Sequence, residues 1–160
     1  MKAVIQRVRR ATVTVGNEII SQIDQGLLVL LGVAKGDDEP DARYIVEKIA
    51  TLRIFADAAG KMNLSVQDVG GAVLVVSQFT LLGETTQGRR PGFDQAAPPD
   101  RARVLYDTVI AGLKAQGLRT DSGRFGAYMT VSLENDGPVT FMLNSWSSIG
   151  QDKNCVSDNR

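Results

Sequence analysis

The chain of 160 residues contains no histidine and a single cysteine, Cys155. Without histidine there is no Ser-His or Cys-His pair and no imidazole-built metal centre, which removes most hydrolase mechanisms. One cysteine cannot form an internal disulfide. Cys155 lies in a polar stretch with no activating partner nearby in sequence, so it does not read as a nucleophile. A zinc site would have to be built from carboxylates alone, which suit harder cations, and neither a metal nor another cofactor is expected. Long apolar runs are also missing. The longest spans residues 27–34, strand length and far short of the roughly 20 residues of a membrane span. Lys2 is not followed by a signal-peptide core, so a cytoplasmic chain with no membrane partner is expected. There is no excess of either charge: 18 Lys and Arg balance 18 Asp and Glu. That balance argues against a broad nucleic-acid-binding surface but leaves room for a small footprint on an RNA end. Arg7, Arg9 and Arg10 cluster near the start, and Arg89 and Arg90 in the middle.

What is present reads as one domain with a real core, since domains commonly run to about 100–150 residues. Residues 3–15 alternate as a strand, Gly16-Asn17 is a tight turn, and residues 18–23 return as a hairpin. Residues 27–33 are apolar throughout, as a strand buried on both faces would be. Asp37-Asp38-Glu39-Pro40 opens a helix carrying Ala42, Ile45, Val46, Ile49 and Leu52 at helical spacing. A short strand over 53–56 ends at Asp57-Ala58-Ala59-Gly60, and a second apolar strand runs over 72–79. Residues 83–99, broken by Gly and Pro, form a long loop of the kind that often carries function. Asp100 is expected to cap a second helix with Ala102, Leu105, Val109 and Leu113 on its apolar face, ended by Gly117. Residues 128–134 and 139–143 read as strands separated by Asn135-Asp136-Gly137-Pro138. The sum is an α+β fold, a mostly antiparallel β-sheet or barrel with two packed helices. Residues 1–145 make the domain, and 146–160 a polar tail.

Two polar segments at strand ends carry the chemistry. Asn135-Asp136-Gly137-Pro138 is rich in turn formers and on that ground is a hairpin turn. It also supports a second reading. A Gly-Pro bond in the cis form can present two carbonyls on one side, and glycine lets a ligand approach the backbone closely. Ser77-Gln78-Phe79-Thr80 reads as a strand end whose hydroxyls satisfy nearby backbone. A Thr80 nucleophile would need a base, and no histidine or nearby lysine supplies one. A positioning role fits better: backbone N–H groups near Phe79 and Thr80, with Ser77 and the Gln78 amide, polarising an ester carbonyl and holding its oxyanion.

These segments, with the opening Met1-Lys2-Ala3-Val4-Ile5-Gln6-Arg7-Val8, Arg90-Pro91-Gly92-Phe93 and Gly123-Arg124-Phe125-Gly126-Ala127-Tyr128-Met129, resemble D-aminoacyl-tRNA deacylases of the bacterial and eukaryotic type. The resemblance keeps order and spacing over residues 1–145. It implies a homodimeric hydrolase that acts at the 3′ acceptor end of aminoacyl-tRNA, with composite sites. There Gly137 and Pro138 of one chain would screen the α-carbon of the amino acid, rejecting L residues and passing D residues and glycine. Arg7 would support that turn. Phe125, Ala127 and Met129 would wall the adenosine or amino-acid pocket, their alternative being plain strand packing. The adjacent 2′-hydroxyl of the substrate would supply the missing base. Tyr128 stands where the family pattern more often has an acid. Two other readings remain: a non-catalytic tRNA-end-binding module, and a small-molecule-binding dimer with no nucleic-acid partner.

Overall fold

A computed structural model describes residues 1–145. The expected polar tail over 146–160, Cys155 included, lies outside the described residues.

The fold is organised around one long strand, β1 (Lys2–Val15). Gly16, in the left-handed region at φ 59°, turns the chain into β2 (Glu18–Ile23), which pairs antiparallel with the second half of β1. The first half of β1 pairs antiparallel with β3 (Gly26–Gly32). Next come α1 (Glu39–Thr51), a small hairpin of β4 (Phe55–Ala56) and β5 (Met62–Leu64), and β6 (Ala72–Ser77), which lies parallel to β3. After a 3₁₀ turn (Phe79–Leu82) and the long loop, α2 (Pro99–Ala115) leads to β7 (Arg119–Ser122), parallel to β6. The last strand, β8 (Thr130–Asn144), runs antiparallel along the free side of β1. The sheet is therefore mixed: three antiparallel ladders share β1, and β3, β6 and β7 are parallel. β2 folds over to lie against β6 and β7, which curls the sheet toward a barrel. The expected α+β class holds.

Burial follows the pleat. Leu27, Val29 and Leu31 of β3, with Val73 and Val75 of β6, face the helices and meet Ile45, Ile49, Val109 and Leu113. Leu28, Leu74 and Val76 face the other way, against Val8, Ala11, Val13 and Ile23. Because both faces of β3 and β6 are covered, their sequences are nearly unbroken apolar runs. At the edge of the first core the Met1 ammonium is fully buried. It donates to Asp37 Oδ1 at 2.7 Å and Ser145 Oγ at 2.5 Å, tying the start of the first strand to the end of the last.

Several boundaries differ from the sequence reading. β6 stops at Ser77, so Phe79 is in the 3₁₀ turn and not in a strand. The α2 N-cap is Pro98 and Asp100 sits inside the first turn, because a proline at the first helical position is favoured there. The sequence reading has no strand at β5 or β7: β5 is only three residues long, and β7 has no apolar alternation. The largest difference is at 135–138. Its residues do not reverse the chain: both flanks belong to β8 and pair with β1 in one direction. The segment is a bulge within a strand, not a hairpin turn.

Candidate functional site

The bulge arises where β8 has more residues than β1. Gln6 pairs with Thr140 and Val8 with Asn135, so residues 136–139 oppose Arg7 alone. Three side chains hold the projecting loop. Arg7 Nε donates to the Asp136 carbonyl at 3.1 Å, and its other arm donates to the Ile54 carbonyl at 2.6 Å. The Asp136 carboxylate stays within 3.4 Å of Arg7 Nε and 3.3 Å of Arg9 Nε. Asn135 Oδ1 accepts from Val139 N–H at 2.9 Å, closing the neck, while its amide donates to Thr140 Oγ1 at 3.0 Å. The Gly137-Pro138 peptide is cis, and Gly137 has φ 133°. A Cβ on Gly137 would stand 2.7 Å from a Val139 methyl and 3.1 Å from the Arg7 guanidinium, so only glycine fits. The carbonyl that Arg7 bonds is that of Asp136, which precedes Gly137. Sequence reasoning gave Asn135 and Asp136 no role of their own; their signal is a carboxamide and a carboxylate beside Gly-Pro, opposite an arginine.

The second segment is exposed and locally held. Gln78 N–H donates to Leu31 O at 2.8 Å, extending the parallel ladder by one bond. The Gln78 amide then donates to Thr80 Oγ1. Phe79 and Thr80 lead the 3₁₀ turn, whose first N–H groups have no acceptor within a turn. Phe79 is 59% exposed and meets Phe93 edge to face, ring centroids 5.0 Å apart. Ser77 is half-buried at the end of β6.

Phe125, Ala127 and Met129 are half-buried and alternate with exposed Arg124, Gly126 and Tyr128. They do not share one wall. Phe125 tilts onto Tyr106 with centroids 5.6 Å apart, against the first core. Met129 packs on the second core, its sulfur occupying the space a Cβ on Gly123 would need. Phe125, Tyr106, Ser122 and Thr120 line an open cavity of about 530 Å³ between α2, β7 and β2. Tyr106 donates to Val75 O at 2.8 Å, and burial pushes its hydroxyl up to about 12. Among the described residues no cluster of His, Cys, Asp and Glu could hold a metal.

A single chain does not bring its two signature segments together. The bulge is level with Arg7, which pairs with Leu27, whereas Ser77 pairs with Leu31. That is four residues, about 13 Å, along β3. Across the sheet, β8 and β6 are separated by β1 and β3, so three strand spacings, about 14 Å, lie between them.

Comparison with known proteins is consistent along the chain. Residues 4–144 match the family model described as D-Tyr-tRNA(Tyr) deacylase. A D-aminoacyl-tRNA deacylase of Pelobacter propionicus is 59% identical over 143 residues, 89% of this chain and 99% of that protein. Among solved structures, the c-Myc DNA unwinding element binding protein superposes with a TM-score of 0.84 at 44% identity. The match covers 90% of this chain and 98% of that one. The structure of a probable eukaryotic D-amino acid tRNA deacylase shares the fold at a TM-score of 0.77 and 20% identity, covering 89% of this chain and 97% of that one.

Proposed function

The chain belongs to the D-Tyr-tRNA(Tyr) deacylase family, and from that premise we propose that it hydrolyses D-aminoacyl-tRNA. Water adds to the ester carbonyl, the acyl–oxygen bond breaks, and free D-amino acid and tRNA with a free 3′-terminal hydroxyl leave. The observation that carries the reading is the pinned bulge: a backbone projection, built on glycine and fixed by Arg7 and Asn135, suits recognition by main-chain groups.

In this reading the Gly137 and Pro138 carbonyls accept hydrogen bonds from the substrate α-ammonium. An L side chain is driven into the turn, a D side chain points away from it, and glycine passes. Phe79 and Thr80 N–H groups with the Gln78 amide stabilise the oxyanion, and Ser77 ends the strand that carries them. Thr80 positions and does not attack. The 2′-hydroxyl beside the ester serves as base, which suits a chain without histidine. Aminoacyl esters are already activated, so orientation and oxyanion stabilisation suffice.

The separation of the two segments within one chain favours sites completed by a second copy, so we propose a homodimer in which the bulge of one protomer enters its partner's site. The machinery lies within residues 1–145 of a cytoplasmic protein. The test is ester hydrolysis of D-tyrosyl-tRNA, L-tyrosyl-tRNA and glycyl-tRNA. Release from the D and glycyl substrates only is expected. Tight binding of D-tyrosyl-tRNA without turnover would instead make the chain a tRNA-end-binding module.

A further inference from the structure

The loop that follows the 3₁₀ turn is ordered at both ends and charged at its tip. Glu84 and Gly92 exchange backbone hydrogen bonds of 2.8 and 2.9 Å, closing the loop at its neck. Thr86 N–H donates to the Glu84 carboxylate at 2.8 Å, so that acid is engaged inside the loop. Gly83 N–H bonds Thr80 O, and Ala97 N–H bonds Val33 O, which fixes the loop against Thr80 on one side and the end of β3 on the other. The tip carries Arg89 and Arg90. Both are exposed, and neither forms an ion pair with any described residue, although the chain as a whole is neutral. At the neck, Phe93 (37% exposed) supports the open ring of Phe79. Asp94, next in the chain after Phe93, forms no ion pair with either arginine. An aromatic pair left open to solvent stabilises the fold little. Beside two unpaired guanidinium groups it matches the pattern by which proteins hold single-stranded nucleic acid, a base on a ring and phosphates on arginine.

We propose that residues 84–93 with Phe79 form a docking surface for the single-stranded 3′ end of tRNA. A base stacks on the Phe79–Phe93 pair, and Arg89 and Arg90 hold the phosphates just before the terminal nucleotide. The proposal rests on the reading that tRNA is the substrate and names how this chain grips it. Because the loop begins three residues after Thr80, the same contacts set the distance from the gripped phosphates to the ester.

Binding of uncharged tRNA measured against salt, paired with two substrates, tests it. The double variant Arg89→Ala/Arg90→Ala is expected to weaken binding and flatten the slope of log affinity against log salt by about 1.4, the value for two lost single-strand phosphate contacts. The Arg89→Lys/Arg90→Lys pair should keep the slope. Phe93→Ala should weaken binding roughly 5- to 160-fold, one base stack, with the slope unchanged. With D-tyrosyl-tRNA the arginine double variant should raise KM and leave kcat. With 3′-D-tyrosyl adenosine, which has no phosphate, it should match wild type. Wild-type affinity and slope in that variant, or an equal loss on the phosphate-free ester, would overturn the docking role. A wild-type protein that cleaves neither ester would sink the proposed activity, and the binding slopes would still decide the docking surface.

Discussion

The bulge inside β8 and the segment at 77–80, just past the end of β6, are both polar and both proposed parts of one site, yet they are held by different means. The bulge depends on partners far away in sequence: Arg7, 129 residues before Asp136, and through it the Ile54 carbonyl. The 77–80 segment has one distant backbone tie, Gln78 N–H to Leu31 O, and is otherwise held locally: the Gln78 side chain bonds Thr80, and a short 3₁₀ turn sets the rest. In the proposed mechanism, the backbone that discriminates by shape is bolted to the core sheet. A backbone that need only offer N–H groups is left exposed. Substitutions in the first should therefore damage fold and selectivity together, and substitutions in the second should be mild for the fold.

The largest effect is expected from Gly137→Ala. The added methyl meets the Val139 side chain and the Arg7 guanidinium, at a φ that L residues avoid. Turnover of D-tyrosyl-tRNA should fall by about two orders of magnitude or more, since misplacement of about 1 Å has that effect. A Gly137→Ala enzyme with wild-type kcat/KM would break the comparison outright. Next is Arg7→Ala, which leaves the Asp136 and Ile54 carbonyls without their charged donor. Equilibrium urea unfolding should show a loss of about 2–3 kcal/mol, and Arg7→Lys should not restore it because one ammonium cannot span both carbonyls. Asn135→Ala should cost about 1 kcal/mol by the same measurement, the worth of one hydrogen bond at the neck. Thr80→Ala should change stability by less than about 0.5 kcal/mol and keep substantial deacylation. Labelled amino acid trapped on Thr80 after a quench would overturn the positioning role. The smallest effect is none: chelation at constant tRNA folding should leave turnover unchanged, and a zinc-reversible loss would refute the metal-free mechanism.

How much of this was legible depended on whether the deciding forces were local. The apolar runs at 27–33 and 72–79, the helical spacing from Ala42 to Ile49, and the glycine stop at Gly117 are local signals, and each marks an element, although β6 ends at Ser77, two residues short of the reading. Asn135-Asp136-Gly137-Pro138 was legible as irregular backbone but not as a bulge. Turn formers serve either purpose, and the choice was made by β1, whose 14 residues offer a partner to both flanks. β7 was hidden because Arg119-Thr120-Asp121-Ser122 has no apolar pattern; parallel pairing with β6 alone makes it a strand. For the site, residue identities at 77–80 and 137–138 were readable through resemblance. The Arg7–Ile54 bond and the Phe79–Phe93 contact join segments whose meeting only the fold decides.

One consequence follows from β1 carrying all three antiparallel ladders of the main sheet. A strand with neighbours on both sides along most of its length does not fray, and its amides exchange with solvent chiefly through global opening. Arg7 sits in the middle of that strand. The bulge it holds is therefore tied to the best-protected strand of the sheet. Selectivity and foldedness should disappear as a single event, with no temperature at which the enzyme is active but has begun to accept the wrong hand.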